Sequence, residues 1–456
     1  MGTAVLELEG FGYSYPEGAA VLRDVDLRIE AGQCHCITGP TGSGKTTLAL
    51  AAAGLLSGGR RAGAARLSGP AASARVGLVL QNPETQLLAG TVGAEVAFAL
   101  ENQCVAPEQM PDRVRAALDA VGLERPLEFE GALLSMGQKY RLLVAAALVM
   151  EPRLLVLDEP TAQLDDEGRG ELLAVMRRLK GRGVAFLVCE HHPERLAAVT
   201  DRRWELGGGG QLRPATLSGP EADGQATPSA GVRVPATSGG ADPVVAARGL
   251  EGRGVPGERL WGGLELDLNR GQCLALCGPN GSGKTSLLRC LTGFARPARG
   301  ELRVFGQDPR AADLRGRVGC LYQDPSRQLF ESTVREEVAF ARRRLGGRPG
   351  AVERDVDRVL EECSIAHLAE QSPHKLSYGQ AHLVGLASVL VHEPELLLLD
   401  DPLAGLDPDR GQALLELLRS RCRERQTAVV WTTHDAGAVP SWVDARALLG
   451  EPDREG

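Results

Sequence analysis

The sequence predicts an α/β chain made of two copies of one domain, each with a mainly parallel sheet at its core. Two observations lead there. Short leucine-rich or β-branched runs such as "QCHCITG" (Gln33 to Gly39) and "RLLVLDEP" (Arg153 to Pro160) alternate with stretches of helical length and alanine content, "TTLALAAAGLL" (Thr46 to Leu56) and "YRLLVAAALVM" (Tyr140 to Met150). Separately, a series of segments recurs in one order at a nearly constant offset. "GPTGSGKTT" at Gly39 returns as "GPNGSGKTS" at Gly278, "LQNPETQLLAGTVGAEVAFA" at Leu80 returns as "YQDPSRQLFESTVREEVAFA" at Tyr322, and "LLSMGQ" ending at Gln138 returns as "KLSYGQ" ending at Gln380. The period is far too long for a solenoid repeat, so a whole domain is duplicated. With 456 residues the chain also exceeds what one core usually holds.

The boundaries follow from composition. Residues 1–206 form the first domain, 207–243 a flexible linker rich in Gly, Pro, Ser and Thr without aromatics, and 244–456 the second domain. The net charge of −8 argues against a partner bound by phosphate neutralisation, so no nucleic acid is expected. No apolar run approaches the ~20 residues of a membrane-spanning helix. The start, "MGTAVLELEG", has neither the basic region nor the apolar stretch of a signal peptide, which leads to the expectation of a cytosolic protein. The ten cysteines show no CxxC pair. Cys34, His35 and Cys36 lie together before a glycine loop, but on a strand successive side chains face opposite ways, so a structural role is expected rather than a metal site.

The repeated GxxxxGK[ST] is a phosphate-binding loop: Gly39, Gly42 and Gly44, with Gly278, Gly281 and Gly283, let backbone N–H groups wrap phosphates at a helix N-terminus. Ser43, Thr47, Ser282 and Ser286 complete the two loops. Lys45 and Lys284 are placed to reach the β and γ phosphates of ATP, and Thr46 and Thr285 to ligate Mg2+ through their hydroxyls. Further along, Asp158 and Asp400 end hydrophobic strands, where a carboxylate can bind the metal or its water shell. The next residue differs between the copies. Glu159 could accept a proton from an attacking water; its counterpart, Asp401, is one methylene shorter.

"LLSMGQ" and "KLSYGQ", with a phosphate loop before them and an acidic strand end after, resemble the signature of the ABC ATPase family, in the family's own motif order and over everything except the linker. The resemblance implies two tandem P-loop nucleotide-binding domains, each a mainly parallel sheet core with a helical subdomain. It assigns Gln81 and Gln323 to the loop that contacts magnesium and faces a membrane partner, and Asp165 and Asp407 to the D-loop. It assigns His191 and His434 to the switch histidine at the γ phosphate, with His192 the competing choice in the first half. It further implies a head-to-tail sandwich, in which ATP held by one half meets Ser377, Gly379 and Gln380, and ATP held by the other meets Ser135, Gly137 and Gln138. An aromatic upstream of the phosphate loop stacks on adenine in the family; Tyr15 is the candidate, with Tyr13 the alternative, and the same offset in the second copy lands on Gly254. Two departures in the second copy suggest unequal sites: the first hydrolyses ATP quickly, and the second mainly binds it.

"QNPETQLLAGTVGAEVAFAL" and "QDPSRQLFESTVREEVAFAR" are similar to the ATPases of energy-coupling factor transporters. That implies an ATPase at the cytoplasmic face of the cell membrane that powers import of a vitamin, a vitamin precursor, or cobalt or nickel. Its partners would be a membrane scaffold subunit and a substrate-binding membrane subunit. Leu87, Leu88, Leu329 and Phe330 are candidates to pack on the scaffold, with burial inside each domain the alternative, while the arginine runs at Arg60–Arg61 and Arg342–Arg344 read as solvated faces. The competing readings are the ATPase of another importer, such as one for sugars, and a soluble ABC translation factor, whose long charged helical linker this glycine-rich one does not resemble.

Overall fold

The computed structural model describes residues 4–16, 18–68, 76–81, 83–162, 164–216, 243–253 and 259–450, in two compact units, Met1–Ala222 and Asp223–Gly456. In the first unit β1 (Ala4–Ser14) and β2 (Ala20–Glu30) pair antiparallel, and β3 (Cys34–Thr38) runs into the glycine loop and α1 (Lys45–Ala52). Next come β4 (Arg60–Leu67) and β5 (Val76–Val79), and then the helices α2 (Val92–Asn102), α3 (Met110–Val121) and α4 (Met136–Leu148). The unit ends with β6 (Leu154–Asp158), α5 (Asp166–Gly181), β7 (Ala185–Cys189), β8 (Arg202–Leu206) and β9 (Leu212–Ala215). Two sheets result: an antiparallel one in the order β2-β1-β4, and a six-stranded one in the order β5-β6-β7-β3-β8-β9, parallel except for β9.

Strands buried on both faces need apolar residues at every position, which is why β6 and β7 read as unbroken hydrophobic runs. The period of two then divides them. Leu155, Leu157, Phe186 and Val188 enter a core shared with α2 to α5, whereas Leu154, Val156, Ala185 and Leu187 enter one shared with β1, β2 and α1. Helix α5 presents Leu172, Val175, Met176 and Leu179, a spacing that lines one face of a helix.

The second unit repeats the plan with β10 (Val245–Arg253), β11 (Arg259–Leu268), β12 (Cys273–Cys277), α6 (Lys284–Leu291), β13 (Arg299–Val304) and β14 (Val318–Leu321). It continues through α7 (Val334–Arg344), α8 (Pro349–Glu362), α9 (Tyr378–Leu390), β15 (Leu396–Leu399), α10 (Pro408–Arg425), β16 (Ala428–Thr433) and β17 (Ala445–Leu448). Its sheets are ordered β11-β10-β13 and, all parallel, β14-β15-β16-β12-β17.

The expected linker needs a correction at its start. Leu212–Ala215 is a strand, paired antiparallel with Arg203–Leu206, so the hairpin through "GGGG" belongs to the first sheet. Glycines made that turn look like the beginning of a linker; residues 217–242 lie outside the described part. The Cys34, His35, Cys36 group divides between faces as strand geometry requires. Both cysteines enter the helical-side core, while His35 turns to the other side, where its Nδ1 accepts from Trp204 Nε1 (3.2 Å) and its Nε2 faces Gln33 Oε1 (3.2 Å). No group of three or more metal-ligating side chains forms among the described residues. None of the described helices is long and apolar enough to cross a membrane.

Candidate active site

Both glycine loops join a buried strand to a helix N-terminus, β3 to α1 and β12 to α6. Gly39 has no room for a side chain, since a Cβ there would lie 2.3 Å from the Leu206 carbonyl oxygen, and Gly278 meets Leu449 in the same way at 2.4 Å. The lysines fold back onto their own loops: Lys45 Nζ donates to the Gly39 and Pro40 carbonyls at 2.8 and 3.2 Å, Lys284 Nζ to those of Gly278 and Pro279 at 2.7 and 2.8 Å. A phosphate offers such an ammonium a stronger, charged acceptor. Thr46 Oγ1 donates to Asp158 Oδ2 (2.8 Å) and Thr285 Oγ1 to Asp400 Oδ2 (2.7 Å), so the paired metal-ligand candidates of each half touch. Asp158 Oδ1 is buried with no partner among the described residues, and burial, followed by the adjacent Glu159 charge, pushes that carboxyl up to about 6. Asp400 is raised less sharply. Burial lifts it, but Thr285 and Thr432 both donate to its oxygens.

Glu159 and Asp401 share one backbone conformation, with φ of +49° at each. This left-handed geometry is costly for a side-chain-bearing residue and turns the carboxylate off the strand toward the loop. Gln81 Nε2 donates to Glu159 Oε2, and His191 Nε2 lies 3.0 Å from Glu159 Oε1. The sequence put His191 first with His192 as the competing choice; here His192 Nδ1 lies 3.1 Å from Glu194 Oε1. In the second half His434 Nδ1 lies 2.9 Å from Asp401 Oδ2, while Gln323 is held by its carbonyl, which accepts from Tyr378 Oη at 2.6 Å. Burial works to raise the Asp401 carboxyl, but His434 and Lys284 hold it below the usual range.

A model of the ABC transporter family matches residues 22–162 and 262–404. The chain belongs to the ABC transporter family. It is 33% identical over 94% of its length to "Putative ABC transporter ATP-binding protein BL0043" of Bifidobacterium longum, of which it spans 63%. It is 28% identical over 98% of its length to "Putative HMP/thiamine import ATP-binding protein YkoD" of Bacillus subtilis, of which it spans 90%. A solved structure, CbiO1 from Clostridium perfringens, described as part of the ABC transporter complex cbiONQ, is 30% identical; 46% of this chain aligns with 85% of that one, with a TM-score of 0.42. As a member of the family the chain is an ATPase, the ATP-binding subunit of a transporter.

The ABC signatures open helices α4 and α9. Ser135 and Ser377 are their N-caps, and Gln138 and Gln380 bond back to the serine N–H at 3.2 and 3.0 Å, forming capping boxes. Gly379 is packed so that a Cβ would lie 2.7 Å from the Gly405 carbonyl, while Gly137 is looser. Asp165 and Asp407 cap α5 and α10 by accepting from Gly168 N and Arg410 N, each at 2.9 Å. Tyr15 is 42% exposed with its Oη 3.2 Å from Thr47 Oγ1, whereas Tyr13 is buried and donates to the Ser57 carbonyl at 3.1 Å. That places Tyr13 in the core. Gly254 lies outside the described residues, but its neighbourhood is informative. Tyr13 opposes Leu22 across the antiparallel pair, and at the matching rungs Gly252 opposes Trp261, so the bulky ring has changed strands.

Several residues that the motifs left without a role turn out to build the site. Gln86 and Gln328 each clasp the backbone after β5 and β14: their Oε1 accepts from Leu80 N (2.7 Å) or Tyr322 N (2.8 Å), and this fixes the start of the glutamine loop. Glu95 and Glu337, both buried, accept the amides of Leu88 and Ala89, and of Phe330 and Glu331, at 2.7 to 2.9 Å. Those bonds hold Leu88 and Phe330 outward at 70% and 58% exposure, while Leu329 is core. Their signal was present in sequence as letters repeated in both halves. Glu190 gave no such signal, because the second half has Thr433 in its place.

Proposed function

We propose that this chain energises an energy-coupling factor importer of a vitamin, a vitamin precursor, or cobalt or nickel, through separate scaffold and substrate-binding subunits, at the cytoplasmic face of the cell membrane. The observation that supports it most is the continuity of the glutamine loop. One end, Gln81, bonds the carboxylate of Glu159, and the other presents Leu88 to solvent. A membrane helix seated on Leu88 would therefore bear on the reacting group. The import named for the Bacillus relative agrees with this cargo class.

The residues present fit Mg2+ with ATP. Thr46 and Asp158 converge, and Asp158 Oδ1, without a partner among the described residues, is a buried oxygen ready for a cation; Gln81, which bonds Glu159, belongs to the same set, and Thr285, Asp400 and Gln323 are the second. The ion would neutralise charge on the β and γ phosphates. Lys45 and Lys284 bind those phosphates, Glu159 accepts the proton of the attacking water, and His191 orients Glu159. Asp401 with His434 serves a slower second site.

The test is steady-state ATP hydrolysis by the chain assembled with its membrane subunits, comparing Glu159→Gln with Asp401→Asn. Loss of at least about a hundredfold for the first, with more than half the rate kept by the second, supports unequal sites. Equal losses make aspartate a working base. Failure of the chain to assemble with any vitamin or metal importer subunits would sink the importer assignment.

A further inference from the structure

Glu190 follows the last residue of β7 and is 1% exposed, yet its carboxylate is fully engaged. Oε1 accepts from the amides of His191 (2.8 Å) and His192 (3.2 Å), and Oε2 accepts from the hydroxyl (2.6 Å) and amide (3.3 Å) of Thr161. A buried carboxylate is tolerable only with this degree of satisfaction, and a carboxylate has room for four donors. The two groups of donors come from different loops. Thr161 lies two residues after Glu159, and His191 is the residue that meets Glu159 at 3.0 Å.

In the second half both ends of this tie are gone together. Thr433 stands where Glu190 would be and Leu403 where Thr161 would be. Thr433 Oγ1 turns into its own loop, accepting from Asp435 N (3.0 Å) and donating to the Asp435 carbonyl (3.3 Å). In both halves the acidic loop also meets the neighbouring strand: Glu159 N donates to the Cys189 carbonyl at 2.8 Å, and Asp401 N donates to Thr432 Oγ1 at 2.9 Å. A bridge from the acidic loop to the histidine loop through a buried carboxylate thus exists in the first half, whereas the second half, with both of its ends replaced, joins the same two loops through the His434–Asp401 contact.

We propose that Glu190 is the positioning residue of the first site. Its carboxylate clamps the loop bearing His191 to the loop bearing Glu159, so that the His191 ring keeps Glu159 aimed at the position of the attacking water. Glu190 touches no substrate and acts through His191 and Thr161. The inference rests on the reading of Glu159 as the general base.

The experiment uses the full chain with its membrane subunits and measures kcat and KM for ATP, ATP affinity and Tm. The variants are Glu190→Gln, Thr161→Val, Thr161→Ser, the double exchange Glu190→Thr with Thr161→Leu, and Glu159→Gln as reference. The double exchange installs the pair that the second half already folds with, which separates positioning from folding. Misplacement of a reacting group by about 1 Å costs up to ~100-fold, so kcat is expected to fall at least about tenfold in Glu190→Gln and the double exchange, with KM and ATP affinity held within about twofold. Thr161→Ser, which keeps the hydroxyl, restores most of what Thr161→Val loses. A double exchange with full kcat overturns the clamp, as does a fall in kcat matched by equal loss of ATP affinity. If Glu159→Gln itself keeps full rate, the general-base reading fails. If Glu159→Gln is inactive while the double exchange runs at full rate, the clamp alone fails.

Discussion

His191 reaches Glu159 through Nε2 at 3.0 Å, whereas His434 reaches Asp401 through Nδ1 at 2.9 Å. The acids share the same backbone, φ +49°, so the difference begins beyond Cα. The aspartate side chain is one methylene shorter, and the histidine ring meets it with the nitrogen nearer its own backbone. Aspartate is also among the few side chains that visit the left-handed region readily, so the exchange relieves strain as it shortens reach. A loop fastened by Glu190 surrounds one pair; a loop fastened through Thr432 surrounds the other.

His191→Ala is expected to lower ATP turnover about ten- to a hundredfold, because among the described residues Glu159 then keeps only Gln81 as a side-chain partner. His192→Ala, whose ring meets exposed Glu194, should stay within about twofold. Steady-state hydrolysis of the two variants decides which histidine acts.

In the second half a Cβ on Gly252 would lie 2.3 Å from the Trp261 ring, which also donates from Nε1 to the Gly283 carbonyl at 3.2 Å. Gly252→Ala should therefore cost about 1 to 3 kcal/mol through overpacking. Gly252→Tyr combined with Trp261→Leu rebuilds the Tyr13–Leu22 pair of the first half and should be more stable than Gly252→Tyr alone. Denaturant unfolding of the four-member cycle gives the coupling, and additive effects would contradict the exchange of bulk between strands.

Burial, with the charge of Arg202 acting the same way, lowers the His35 pKa from 6.5 to about 4. Hydrogen bonding agrees, since Trp204 Nε1 can only donate and a proton on Nδ1 would oppose it. The unfolded chain thus takes up a proton before the folded one does. The resulting stability is complete above pH 6.5 and is lost as pH falls toward 4, by up to about 3 kcal/mol. Urea unfolding at pH 7.5 and 5 should show a smaller drop for His35→Gln than for the native chain, with His382, also lowered to about 4 by burial, contributing a residual slope. Equal drops would mean that His35 titrates normally.

Leu88→Asp and Phe330→Asp should change stability by no more than about 0.5 kcal/mol, both side chains being largely in solvent, yet should abolish assembly with membrane subunits. Glu95→Ala leaves the Leu88 and Ala89 amides without their acceptor and should cost about 1 to 3 kcal/mol. Thermal unfolding beside co-purification separates the two effects. Intact assembly with both aspartates in place would remove the docking role.

The duplication, the α/β class, both phosphate loops and the strand-end acids were readable in sequence because each rests on local chemistry. Glycines must precede a lysine where backbone wraps phosphate, and strands buried on both faces must be apolar throughout. Local chemistry also misled at "GGGG", where a hairpin turn and a linker call for the same residues. What only the tertiary structure shows concerns side chains far apart in the chain: the His191–Glu159 contact, the buried position of Tyr13, the Gly252–Trp261 exchange and the hydrogen bonds of Glu190. A hydrogen bond between residues 29 positions apart, such as Thr161 to Glu190, leaves no periodicity or spacing to read. It exists because the parallel neighbours β6 and β7 end side by side, bringing two loops within reach of one carboxylate.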